Sequence, residues 1–527
     1  MKRLRFNILT MGLISGAMLF TGCKDSFLEQ EPPTKANLET YFNSEEHILE
    51  QLTAVYVPAH MYDYNTAGGY TPLNFSDILG DDYLTGAAGP SDQEQWHRAG
   101  NYTLTSEMTL HGYWAMSYDG VKIANETLHY LEQNKDKFSA EFYNRVKCEA
   151  SIMRAFYYSI VWKWFGNIPV YFNVLKSDDK VAQSPAAEAY EKIIDDLEKT
   201  IEAKGVPMFQ DENNLGRATQ AMAYMIYADM VLYQNDNARF QTAANFMKEI
   251  IDDGHYSLNP DFANLWSPDG EWCSESIFEI NYTDGSICER SYDNIAAIGG
   301  TWLPQVCGPD GGVKSDGDVI GDGWGTCIPR RTALALYDAA DKRTNVTFID
   351  CAPGNARYQN QDLFNNKYAP RKSHVAVGTG GANHCRYNDN FRYYRFAETL
   401  LNAAELVVRG ATIQSAKVPN NKDLLNLVRQ RAGVPDLDLT LDNIIAERRL
   451  EFMGEGKRYW DLVRMEDVPE SSVKASTVLV PDANPVNEKG DAGRTGTWNI
   501  NKKYIPIDAV EISSAQGSLT QNNAYFN

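Results

Sequence analysis

The chain has 527 residues, 43% of them hydrophobic, and a formal net charge of −21. That length can bury a large core as one large or two to three ordinary domains, and the acidic balance argues against a nucleic-acid backbone as partner. Beyond the N-terminus no apolar run reaches about 18 residues, so no later segment reads as a membrane-crossing helix.

The N-terminus opens with Lys2, Arg3 and Arg5, followed by an apolar stretch from Ile8 to Phe20 that is short for a bilayer span. It ends in Leu19-Phe20-Thr21-Gly22-Cys23, where a small residue precedes a cysteine at the expected cleavage position. Residues 1–22 therefore read as a lipoprotein signal, with Cys23 as the acylated first residue of the mature chain. Residues 23–36, which include Glu29-Gln30-Glu31-Pro32-Pro33, read as a lipidated tether.

A helical period follows. Tyr190, Ile194, Leu197 and Ile201 fall at i, i+4, i+7 and i+11, and Ala221, Tyr224, Ala228 and Leu232 at i, i+3, i+7 and i+11. Phe240, Ala244, Met247 and Ile251 repeat the pattern after a polar turn, and Gly254 is the expected C-cap. Small alanines on facing helices suit a tetratricopeptide-type hairpin. The stripe resumes through Tyr394, Ala397, Leu401, Ala404 and Val408, then Leu424 and Val428. The expected fold is mostly α, with a helical scaffold over 37–258 and 392–527.

Between them, 259–391 loses the period and becomes rich in Gly and Asp, as in Gly321-Asp322-Gly323-Trp324-Gly325. A long irregular insertion in a helical scaffold is usually functional. It holds Cys273, Cys288, Cys307, Cys327, Cys351 and Cys385, whose disulfide pairing the sequence does not choose. Cys148, on a helical stretch, reads as a buried hydrophobe. Catalytic and metal motifs are weak. The eight histidines show no ligand spacing, and no Cys-x-x-Cys or Gly-x-Ser-x-Gly occurs. Asp316, Asp318 and Asp322 loosely suggest a calcium loop but depart from the EF-hand spacing, so a solvated turn is expected with calcium as the alternative, and no other cofactor or metal. Glu447, Glu451 and Glu455 share a helix face and invite a glycosidase reading, but Arg448, Arg449 and Arg458 lie within the same turns, and a structural ion network is expected.

Several ordered segments resemble the SusD/RagB family. They are Arg154-Ala155-Phe156-Tyr157-Tyr158 through Trp164-Phe165-Gly166-Asn167-Ile168-Pro169-Val170, Arg395 to Glu405, Val428 to Val434, Glu447 to Phe452 with Glu455 to Arg464, and Tyr504 to Ile507 with Gln521 to Tyr525. The resemblance implies about four tetratricopeptide-like repeats with a variable binding region. It also implies a non-enzymatic lipoprotein on the outer-membrane surface that binds glycans, or in some members peptides, and covers a TonB-dependent transporter.

A glycan offers hydroxyls to carboxylates and amides, and C–H faces to aromatic rings. Two stretches combine these residue types. The first is Asp81, Asp82 and Tyr83 with Trp96, His97 and Asn101. The second is the insertion, with Trp266, Trp272, Tyr292, Trp302 and Trp324. Trp162, Trp164 and Trp460 fall in scaffold motifs and are expected in the core. The competing readings are a surface glycoside hydrolase built on Asp81, Asp82 and the helix carboxylates, and a peptide-binding or protein-interaction scaffold.

Overall fold

The computed structural model describes residues 41–63, 72–282, 299–353, 357–375, 385–483 and 493–522. Ten helices of at least eight residues stand out among them: α1 (Glu45–Ala54), α2 (His111–Gln133), α3 (Ala140–Phe165), α4 (Ala186–Ala203), α5 (Gln220–Gln234), α6 (Phe240–Asp253), α7 (Phe396–Val408), α8 (Asp423–Ala432), α9 (Leu441–Glu451) and α10 (Arg458–Met465). Side-chain oxygens of Ser139, Thr219 and Thr440 accept the first free amides of α3, α5 and α9, which fixes where those helices start. Gly254 ends α6 at φ +101°, the left-handed C-cap expected there.

Each helix from α2 to α9 packs on the next, and α3 also packs on α5. The fold is the mostly helical, tetratricopeptide-like stack of helix pairs that the periodicity implied. Ala221, Ala228 and Ala244 are fully buried, so α5 and α6 approach closely. Helix α5 lies among α3, α4, α6 and α10 and is buried on nearly every face, whereas α4 buries one stripe through Tyr190, Ile194, Leu197 and Ile201. Cys148 is buried as expected. Trp162 and Trp164 are core residues, and Trp164 stacks on Tyr113 with ring centroids 4.3 Å apart. Trp460 meets Trp164 edge-on at 4.7 Å but is only half-buried.

Among the described residues eight short strands supplement the helices: β1 (Tyr83–Thr85), β2 (Ile168–Pro169), β3 (Gln183–Ser184), β4 (Ser276–Ile280), β5 (Cys327–Pro329), β6 (Phe348–Asp350), β7 (Leu363–Asn365) and β8 (Phe391–Arg395). They form antiparallel pairs β1–β5, β2–β3, β4–β8 and β6–β7. The β4–β8 ladder sets Ser276 opposite Arg395 and Ile280 opposite Phe391, closing the neck of the irregular segment while α6 packs directly on α7. The insertion thus grows from an uninterrupted helical stack.

Cys148, Cys273, Cys307, Cys327 and Cys351 are free thiols, Cys385 is buried, and Cys288 lies outside the described residues, as does Cys23. Among the described residues no helix is long and apolar enough to cross a membrane.

Candidate functional site

The loop-rich face is held to the scaffold by charge. Glu447 pairs with Arg343 and Arg429, Glu451 with Arg343, Arg395 and Arg431, and Glu455 with Arg395 and Lys367. All three carboxylates are buried. The expected ion network is present, but the helix ends at Glu451, so Glu455 joins from the turn beyond it, and the cations come from other elements. Arg448 turns to Asp461 and Glu398, and Arg449 and Arg458 turn to the N-terminal loop. Burial pushes the Glu451 carboxyl up, yet Arg431, Arg395 and Arg343 outweigh it and hold it well below the usual range.

Arg449 and Arg458 account for the first expected ligand stretch. Arg458 Nε lies 2.8 Å from Asp81 Oδ1, and Arg449 Nε lies 2.9 Å from Asp82 Oδ2. Burial raises the Asp81 carboxyl, but Arg458 and Arg449 prevail and hold it down to about 2. These aspartates were expected to meet a glycan; instead buried Asp82 and half-buried Asp81 are counter-ions that lock the N-terminal loop to α9 and α10. Tyr83 is buried in β1 opposite Pro329. Trp96 is fully buried, edge-on to Phe75 at 4.6 Å. Asn101 spends its amide on backbone: Oδ1 accepts from Thr495 N at 2.7 Å, and Nδ2 donates to His97 O at 2.9 Å. Asp82, Tyr83 and Trp96 are buried, and Asp81 and Asn101 keep partial exposure with their polar atoms already bonded, because a loop lacking regular hydrogen bonds must be pinned by buried rings and charges.

The second stretch divides. Trp266 is buried against Lys367, whose Nζ sits 4.7 Å from its ring centroid. Trp302, also expected at the ligand surface, is fully buried, and its amide donates to Asp63 Oδ2 at 2.9 Å. Tyr292 lies outside the described residues. Trp324 is half-buried and keeps part of its ring at the surface.

Trp324 belongs to a ledge built on the β1–β5 pair. The ladder continues past β1 as Gly86 N and Ala87 N donate to Thr326 O and Gly325 O, and Tyr358 N donates to Ala87 O at 3.1 Å. Trp324 N donates to Gln305 O at 2.7 Å, Gln305 Nε2 donates to Asp322 O at 2.5 Å, and Tyr387 Oη meets Gln305 Oε1 at 3.3 Å. The half-buried Tyr358 ring meets His97 edge-on at 5.4 Å. Beside it Arg357 Nε pairs with Asp310 Oδ2 at 2.7 Å, a partly exposed charge pair. The ladder thus brings two half-buried rings, a guanidinium and a carboxylate to one stretch of the loop-rich face, the residue types a neutral polyhydroxyl ligand uses. Tyr358 and Arg357 escaped the sequence reading because they sit in an unpatterned loop with no motif around them.

In the loop read as a possible calcium site, Asp318 accepts from Ser373 N at 3.0 Å and from its hydroxyl at 2.5 Å. Among the described residues no group of three or more His, Cys, Asp or Glu is placed to hold a metal ion.

Comparison with known proteins bears on this geometry. Residues 289–525 match the profile of the SusD family, and residues 26–232 match one described as starch-binding associating with outer membrane. The fold superposes on surface glycan-binding protein A from Bacteroides thetaiotaomicron, solved in complex with laminarihexaose, with a TM-score of 0.82 and 38% identity over 91% of this chain and 99% of that one. Surface glycan-binding protein A from Bacteroides uniformis gives 0.81 and 40%, over 92% and 100%. A SusD-like protein P2 from Formosa agariphila is 26% identical over 85% of this chain and 89% of its own.

Proposed function

The chain belongs to the SusD family, and on that premise we propose that it is a non-catalytic, lipid-anchored protein of the outer membrane that captures glycans at the cell surface. It passes them to a TonB-dependent transporter, over which it sits as a lid. The observation that carries this reading is the full-length likeness to a surface glycan-binding protein solved with laminarihexaose, joined to the Trp324–Tyr358 ledge on the same loop-rich face. A laminarin-type glucan is therefore the first ligand to test.

A hydrolase reading would need a pair of carboxylates, one protonated and one ionised. Burial raises the Glu271 carboxyl to about 8, which would suit a protonated acid. Its neighbour Glu279 is buried and already bonded to Ser276, Asn390 and the Trp272 amide, which does not favour Glu279 as the second carboxylate.

Purification of the tagged full-length protein from mildly solubilised outer membranes tests the partner. Co-purification of a TonB-dependent transporter is expected, and recovery of the lipoprotein alone would count against the lid. A glycan array with the same protein tests the ligand class.

A further inference from the structure

A second concave surface lies apart from the Trp324 ledge, between α1, the following turn and the β4 edge. It is a cleft of about 330 Å³, at the lower end of the range for small-molecule sites. Tyr56, Val57 and His60 form one wall, and Leu215, Gly216 and Arg217 the other. Phe278, Ile280 and Asn281 make the floor. Val57 and Leu215 are large apolar side chains left 38% exposed, both on this cleft.

Trp272 stands at its edge in an unusual state. Its backbone adopts φ +50°, a left-handed conformation that a bulky side chain occupies only when its surroundings impose it. The surroundings do so: Glu279 Oε1 accepts its amide at 3.1 Å, and Asn281 Oδ1 accepts its indole N–H at 3.0 Å. The half-buried indole then runs beside Gly216, where its Cζ2 is 3.6 Å from the position a Cβ would take. Gly216 has φ +92°, and a Cβ there would stand 2.2 Å from Asn281 Nδ2. A side chain at 216 would displace the Asn281 amide and abut the indole edge.

The charges select the ligand. Arg217 is taken by the buried Glu149 at 3.0 Å, and Glu279 is taken by Ser276, Asn390 and Trp272. Neither Arg217 nor Glu279 is left to pair with an entering ion, so a neutral ligand is favoured. A purely apolar ligand would bury the Asn281 amide without a hydrogen bond. A ring held rigid beside an amide donor, in a neutral cleft, suits a hexose unit presenting one C–H face and its hydroxyls.

We propose that this cleft, with Trp272 as its stacking ring and Asn281 as its hydrogen-bonding group, is a second glycan subsite separate from the Trp324 ledge. The proposal rests on the glycan-capture reading above. The test is fluorine NMR of the full-length protein labelled with 5-fluorotryptophan, its ten tryptophans resolved by Trp272→Phe and Trp324→Phe, and titrated with laminarihexaose, maltohexaose and cellohexaose. The expected result is a saturable shift of the Trp272 signal with at least one of these. Val57→Trp, which fills the cleft from an exposed position, should weaken that response at least tenfold and leave the Trp324 response intact. If Trp324 responds and Trp272 does not, the second subsite is overturned while the function stands. If neither responds to any of the three, the subsite is overturned and the glycan reading with it. A Trp272 response that survives Val57→Trp unchanged also overturns the cleft as its source.

Discussion

Asp81 and Arg458 stand 377 residues apart in sequence, yet Asp81 Oδ1 lies 2.8 Å from Arg458 Nε. Their side chains are only 12% and 6% exposed. The contact, reinforced by Arg449, clamps the N-terminal loop onto the C-terminal helices and so sets the position of β1, on which the ledge is built.

Arg458→Ala should therefore act on stability. It leaves a buried carboxylate with one guanidinium instead of two, and the expected cost is about 3 kcal/mol. Thermal melts check the loss, and glycan titration of the folded fraction should show unchanged affinity. Weakened binding at unchanged stability would place Asp81 in the ligand site after all.

The ring substitutions should separate into two classes. Trp324→Ala and Tyr358→Ala remove partly exposed stacking surface and should weaken glycan binding by about 1–3 kcal/mol, roughly ten- to a hundredfold, with little change in melting temperature. Trp96→Ala and Trp302→Ala open cavities around fully buried rings and should cost about 3–5 kcal/mol of stability. Calorimetry beside melts of the four variants decides it.

Acid should destabilise the fold below about pH 4. The carboxyls of Asp81, Glu451 and Asp461 are held below their usual values by neighbouring arginines, against the effect of burial. A depressed folded-state pKa contributes stability that is present above the unfolded value, near 4, and is lost as pH falls through the folded value. Stability should be level for these groups from pH 5 to 7, then drop steeply towards pH 2, as read by urea unfolding across that range.

Glu271 has the opposite sign. Burial raises its carboxyl to about 8, so its contribution is fully present below the unfolded value near 4.3 and is lost as pH rises through about 8. Glu271→Gln keeps the acceptor for the Asn390 amide and removes the titration. The variant should be more stable than the parent by about 2 kcal/mol at pH 7.5 and equal to it near pH 4. That figure is discounted because the side chain retains 19% exposure. A variant less stable at both pH values would contradict the assignment.

Cys23→Ala should release the chain from the outer membrane without changing its melt. In the proposed reading the acyl chains are its own hold on the bilayer. Fractionation of cells lacking the partner transporter provides the check, since persistence in the membrane fraction would refute the lipid anchor.

The helical scaffold was legible because burial imprints a period: α4, α5 and α6 announce themselves through Tyr190, Ala221 and Phe240 and the residues spaced after them. The ligand face was largely not legible. Composition alone cannot distinguish a tryptophan that is fully buried, such as Trp96 or Trp302, from one that is only half-buried, such as Trp324, because both sit among the same Gly and Asp residues. Likewise Asp81 and Asp82 look like hydroxyl ligands until Arg449 and Arg458, far along the chain, are brought against them. Long-range ion pairs carry no local signal. Tyr358 and Arg357 acquire meaning only through the ladder that extends β1.

The central claim is that the chain holds a glycan without cleaving it. Its most direct test is one calorimetric titration of the purified full-length protein with laminarihexaose, followed by chromatography of the same sample after prolonged incubation. The account expects saturable binding, weakened at least tenfold by Trp324→Ala, with the hexasaccharide recovered intact. Shorter sugars accumulating with time, or binding indifferent to Trp324 in a folded variant, would contradict it.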